Sequence, residues 1–153
     1  MKITIISVGK FDSSPNEELF SDYTKRLKWQ INLREINYKN SKNLSSNEIK
    51  NGEAKLIIEN LKPNSYIIAL DEHGKQFSSK EFSLILSDLM NNSISDLTFI
   101  IGGASGLALE VLQKAKLTMS FGKITLPHLM VRSILAEQLY RAYSIINNHP
   151  YHK

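Results

Sequence analysis

The stretches best suited to holding a ligand or moving a proton lie between residue 97 and the C-terminus. Gly102-Gly103-Ala104-Ser105-Gly106 follows the apolar run Leu97-Thr98-Phe99-Ile100-Ile101. Adjacent glycines after a buried strand remove Cβ atoms, so backbone N–H groups can approach a ligand closely. The run is not G-x-G-x-x-G and carries no Walker lysine. Nor is it a hydrolase elbow, because Leu107 stands where the last glycine belongs. Taken alone, such a turn is more often structural than functional. A second stretch, Gly122-Lys123-Ile124-Thr125-Leu126-Pro127-His128, puts a rigid proline and a titratable imidazole at a helix entrance. Its small apolar residues with open backbone groups suit an adenine-type ring.

Two more groups complete the set. Glu137 and Arg141 stand i, i+4 on the last helix, more than one turn beyond Arg132. That spacing equally describes a surface ion pair worth a few tenths of a kcal/mol. The tail Asn147-Asn148-His149-Pro150-Tyr151-His152-Lys153 holds two His, a Tyr and a Lys but almost no apolar material. Such a tail is usually disordered. Here it could deliver donors and a stacking ring into a neighbouring site.

These stretches need elements to hold them. Residues 2–8 are β-branched and stop at Gly9, which reads as a strand. Ser14-Pro15 starts a helix, with Ser as cap and Pro at its first position. Residues 31–36 alternate loosely as a second strand, and residues 39–44 form a polar loop. Ser45-x-x-Glu48 and Ser78-x-x-Glu81 are capping boxes that open two more helices. Residues 65–70 form a near-continuous apolar strand, closed by a turn at Asp71-Glu72-His73-Gly74-Lys75. Residues 97–101 and 116–121 supply the fourth and fifth strands. The last helix runs from Met130 to about Ile146 on a stripe including Leu135, Leu139 and Ala142. Strand and helix alternate throughout without repeat or linker. The expected fold is α/β: one domain over residues 1–153, with a mostly parallel sheet flanked by helices. Ligands of such sheets sit beyond the carboxyl ends of the strands, here after Leu70, Ile101 and Phe121.

Composition narrows the class. The chain has 153 residues, 42% hydrophobic and 22% charged, as in a soluble globular domain. No cysteine is present, which excludes disulfides and thiolate metal sites and suits a reducing cytoplasm. Four His with no i, i+4 pair give a zinc site little to stand on. No apolar run approaches a membrane span. The net charge of +4 is uneven: residues 1–110 carry 13 Lys/Arg against 14 Asp/Glu, residues 111–153 six against one. A basic C-terminal third hints at a polyanionic partner.

Together these motifs identify a family. Phe99-Ile100-Ile101-Gly102-Gly103-x-x-Gly106, Thr125-Leu126-Pro127-His128-x-x-x-Arg132, Ala136-Glu137-Gln138-Leu139-Tyr140-Arg141-Ala142 and Asn148-His149-Pro150-Tyr151-His152 carry the likeness. The chain resembles the ribosomal RNA large subunit methyltransferase H family, within the SPOUT superfamily of S-adenosylmethionine-dependent RNA methyltransferases. The resemblance implies a homodimer with a deep C-terminal trefoil knot, a topology the general rules of chain connection disfavour. It implies methylation of N3 of a pseudouridine in the helix 69 region of 23S rRNA, on assembled ribosomes, without metal or membrane. It implies S-adenosylmethionine held by main-chain groups at Leu70, at Gly102 and Gly103, and from Phe121 through Gly122, Lys123, Ile124 and Thr125 to Leu126. The Lys123 side chain is not expected to matter. His128, Arg132, His149, Tyr151 and His152 are the candidates for proton transfer and substrate contact. Glu137 and Arg141 would serve the RNA or the dimer interface. The competing reading is a non-catalytic RNA- or ribosome-binding module. A nucleotide- or flavin-binding protein acting on small molecules is a weaker third.

Overall fold

The computed structural model describes residues 1–11, 13–38 and 44–152. In chain order it contains β1 (Lys2–Val8), α1 (Pro15–Lys25), β2 (Gln30–Ile36), α2 (Ser46–Glu59) and β3 (Tyr66–Gln76). There follow α3 (Ser79–Asn91), β4 (Asp96–Ile101), α4 (Leu109–Leu112), β5 (Leu117–Ser120) and α5 (His128–Ile146). The five strands form one parallel sheet in the order β2-β1-β4-β3-β5. The expected α/β architecture is therefore the observed one.

Burial explains the sheet. Residues 97–101 of β4 are all buried, as are residues 3–8 of β1, because helices cover both faces. On one face Ile3, Ile5, Phe99 and Ile101 pack with Leu135 and Leu139 of α5. On the other, Ile6, Val8 and Ile100 pack with Ala54 and Ile57 of α2 and Val111 of α4. Both capping boxes form, each Ser hydroxyl accepting the N–H of its Glu three residues on.

The structure corrects several local expectations. β3 does not end in a turn at Asp71. After a register shift between Leu70 and Lys75 it continues to Gln76 and stays paired with β5. Gly74 looked like a turn residue, yet it is a close approach: a Cβ there would lie 2.6 Å from the Met119 carbonyl carbon. Ser14 precedes Pro15 as expected, but its side chain makes no cap bond among the described residues. β5 is a residue shorter at each end than expected, and α5 starts two residues earlier, at His128. The loop expected over residues 39–44 lies, except for Leu44, outside the described residues, as does Lys153.

Candidate functional site

The carboxyl ends of β4 and β5, and β3 where its register shifts after Leu70, open on a cavity of about 550 Å³, within the usual range for a small-molecule site. Two of its walls come from strand ends the sequence pointed to; the third is the irregular middle of β3 rather than its end. Leu70 closes one side, Gly102 through Leu107 the second, and Phe121 through His128 the third. Of the nine residues expected to hold a cofactor, Leu70, Gly102, Gly103, Phe121, Gly122, Ile124, Thr125 and Leu126 line the cavity. Lys123 is exposed and does not line it.

Glycine serves the two turns for different reasons. At Gly102 a Cβ would stand 3.0 Å from the Gly106 carbonyl carbon and 3.1 Å from Leu107 Cδ2, so a side chain fits only if those neighbours give by a few tenths of an ångström. At Gly122 nothing lies within 4 Å, but φ is +135°, a backbone setting that strains any side chain. Ser120 locks that second turn: its hydroxyl donates to the Gly122 carbonyl at 2.7 Å and accepts the Gly122 N–H at 3.1 Å. The result is main chain presented at close range on two sides of an otherwise largely apolar cavity. Asp71 and Glu72 also line it, Asp71 with its Oδ1 accepting the His73 N–H at 3.0 Å, and their negative charge suits a ligand carrying positive charge. That donor set fits S-adenosylmethionine: open amides and carbonyls for its polar ends, apolar side chains for its ring and acids for its sulfonium. No group of three His, Cys, Asp or Glu among the described residues is placed to hold a metal.

His128 reaches the cavity from the first turn of α5. Its Nε2 lies 3.1 Å from where a Gly9 Cβ would stand, so the imidazole is wedged against the end of β1. Burial pushes its pKa down, and the charge of Arg132 pushes it further the same way. A neutral imidazole at the cavity is the consequence.

Arg132 is not where its residue type suggested. Its side chain is 0% exposed and does not line the cavity. One guanidinium nitrogen donates to the carbonyls of Val8 and Gly9, at 2.7 and 2.8 Å. The other donates to Glu35 Oε1 at 3.0 Å, and the group stacks over Phe11, 4.6 Å from its ring centre. All this ties α5 to the ends of β1 and β2.

The remaining candidates gather elsewhere. Arg141 donates twice to Glu137 Oε1 within α5, so the pair is intrahelical in this chain. The tail does not trail free. The His149 N–H donates to the Ser144 carbonyl at 2.8 Å, and Tyr151 packs 4.7 Å from Tyr140 between ring centres. The Tyr151 hydroxyl bonds Glu137 and Tyr23, both at 3.2 Å. Burial and those partners raise its pKa well above the phenol range. His152 is exposed. From His128 to the Glu137 level is nine residues of helix, or about 13 Å along the axis at 1.5 Å per residue. None of Glu137, Arg141, His149, Tyr151 or His152 lines the cavity of its own chain.

Sequence reasoning missed Glu53. It sits on α2 between Gly52 and Ala54, only 8% exposed, with its carboxyl against Gly103. An acid in phase with the buried Ala54 and Ile57 was the signal available.

Comparison with known proteins agrees with this geometry. Residues 1–152 match the family described as "Predicted SPOUT methyltransferase". The ribosomal RNA large subunit methyltransferase H of Rhodospirillum centenum is 39% identical over 153 residues, spanning 100% of this chain and 99% of its own length. The proteins of the same name from Carboxydothermus hydrogenoformans and Flavobacterium psychrophilum are each 43% identical, covering 99% or more of both chains. The structure of a probable methylase family protein from Haemophilus influenzae Rd KW20 matches at a TM-score of 0.53 and 16% identity. It covers 97% of this chain and 67% of that one, a likeness of fold alone. A cavity built where two strands end and a third shifts register, in a chain this similar throughout, has one reading: the protein belongs to the ribosomal RNA large subunit methyltransferase H family of SPOUT methyltransferases.

Proposed function

We propose that this protein transfers a methyl group from S-adenosylmethionine to N3 of a pseudouridine in the helix 69 region of 23S rRNA. It does so in the cytoplasm, as a homodimer acting on assembled ribosomes, and as a single domain whose C-terminal part is knotted. The observation that carries the reading is the cavity whose walls are Leu70, Gly102-Gly103 and Phe121 to Leu126. The names of the relatives supply the rRNA.

When bound, S-adenosylmethionine supplies a methyl group on a sulfonium centre, a reaction that needs alignment more than activation. The main chain of the two glycine turns fixes the donor's orientation. The acceptor N3 is an imide nitrogen that must lose its proton. His128, held neutral at the cavity, is the residue best placed to take it. Arg132 acts at one remove, anchoring the end of β1 against which the imidazole rests. Glu137, Arg141, His149, Tyr151 and His152 meet the RNA. In one chain none of them lines its own cavity, which supports a second chain presenting them.

The test is incubation of pseudouridylated and unmodified ribosomes with the protein and labelled donor, then mapping of the methyl group. Label at N3 of a helix 69 pseudouridine, and none on unmodified ribosomes, is the expected result. Calorimetry showing no binding of S-adenosylmethionine or S-adenosylhomocysteine would sink it. Full activity in an enforced monomer would remove the dimer from the mechanism.

A further inference from the structure

We propose that Glu53 is a positioning residue for the donor loop: its buried carboxyl grips the Gly103 backbone and so holds the Gly102–Gly106 turn open toward the cavity. The inference rests on the reading of that cavity as the donor site. Glu53 is on α2 and does not line the cavity, so it acts only through the loop.

The geometry at Gly103 is tight and specific. A Cβ there would lie 2.9 Å from one Glu53 carboxyl oxygen, 3.0 Å from the other and 3.0 Å from Val8 Cγ1. Gly103 therefore has a carboxyl behind it and the cavity in front. The acid is out of place energetically. Its neighbours on that face are Ala54 and Ile57, each 1% exposed, and a leucine would pack there without a desolvation cost. Oε2 has no hydrogen-bond partner and the carboxyl joins no ion pair among the described residues. Burial pushes the carboxyl pKa up, and the Gly103 N–H opposes that by favouring the charged form. A buried acid kept without a salt bridge calls for a use, and the loop amide is the group within its reach. Within the turn Gly103 and Gly106 also pair as an isolated antiparallel bridge, the Gly106 N–H donating to the Gly103 carbonyl at 3.0 Å, and the carboxyl adds a second support from behind.

Glu53→Leu separates this role from simple packing. It should leave thermal stability equal or higher, raise KM for S-adenosylmethionine about tenfold and keep kcat at saturating donor within about twofold. Glu53→Gln, which retains an acceptor oxygen, should return KM to within about threefold of the native value. In the free protein, hydrogen exchange at the Gly103 amide should quicken about tenfold in Glu53→Leu. Where leucine does not fold, the equally long and more flexible Glu53→Met carries the same two readouts. Unchanged KM and unchanged Gly103 exchange in the apolar variant overturn the proposal. Faster Gly103 exchange in a protein whose native form binds no donor would instead reject the donor reading and leave the grip on the loop standing.

Discussion

Helix α5 carries two arginines, each paired with a glutamate and lying over an aromatic ring. Arg132 meets Glu35 and Phe11, and Arg141 meets Glu137 and Tyr151. The parts are the same, yet the roles diverge. Arg132 is fully buried, and its glutamate lies 97 residues away in sequence. It joins three segments through its two terminal nitrogens, while its buried Nε has no partner among the described residues. Arg141 keeps 27% of its side chain exposed and takes its glutamate from one turn back. It adds little to the fold and stays available to a phosphate or a developing anion. Burial and the sequence distance to the partner, not residue type, separate the cation that ties segments together from the one that stays accessible.

That contrast can be broken by substitution. Arg132→Met should cost about 3 to 5 kcal/mol, because it strands Glu35 and the Val8 and Gly9 carbonyls. Urea denaturation measures this, and a loss below 1 kcal/mol would erase the distinction between the arginines. Arg141→Met should instead lose under about 1 kcal/mol of stability while slowing methyl transfer about a hundredfold on ribosomes. A variant equally slow and badly destabilised would make Arg141 structural too.

The pH profile sharpens the Arg132 side. His128 has a lowered pKa, so it stays neutral until pH falls below the ordinary imidazole value of 6.5. The rate should be flat above that value and drop about tenfold per pH unit beneath the depressed pKa. His128→Gln should remove the limb along with most of the rate, and an unaltered profile would show that another group, or water, takes the proton. The same depression predicts that stability from the neutral His128 is present above pH 6.5 and is lost as pH falls through the folded value. Tyr151→Phe should show the smallest effect, about 0.5 to 1.5 kcal/mol from the bonds to Tyr23 and Glu137. A complete collapse of the tail's packing would show instead that the hydroxyl, rather than the ring on Tyr140, anchors it.

Much of the site was legible before the fold. Gly102-Gly103 and the residues from Phe121 to Leu126 were marked by glycine spacing, by the apolar strands before them and by family likeness. Eight of the nine expected cofactor residues line the cavity. Arg132 misled because a basic residue beside a candidate site reads as a ligand group, and nothing local announces that Val8 and Gly9, more than 120 residues earlier, will occupy it. For the tail, composition alone suggested disorder while its His and Tyr suggested a stacking and donor role; in the fold Tyr140 and Tyr23 give Tyr151 rings to pack on.

The amino-acid order alone determined the alternation of strands and helices, the two capping boxes and the position of the glycine turns. Periodicity, caps and backbone freedom act within a few residues of chain. Only the tertiary structure decided that Gly74 is a strand contact rather than a bend, that Arg132 is a buried strut, and that Glu53 stands behind Gly103. Those outcomes depend on which distant surfaces close over a side chain, and desolvation is a property of the packed molecule that no short stretch of sequence contains.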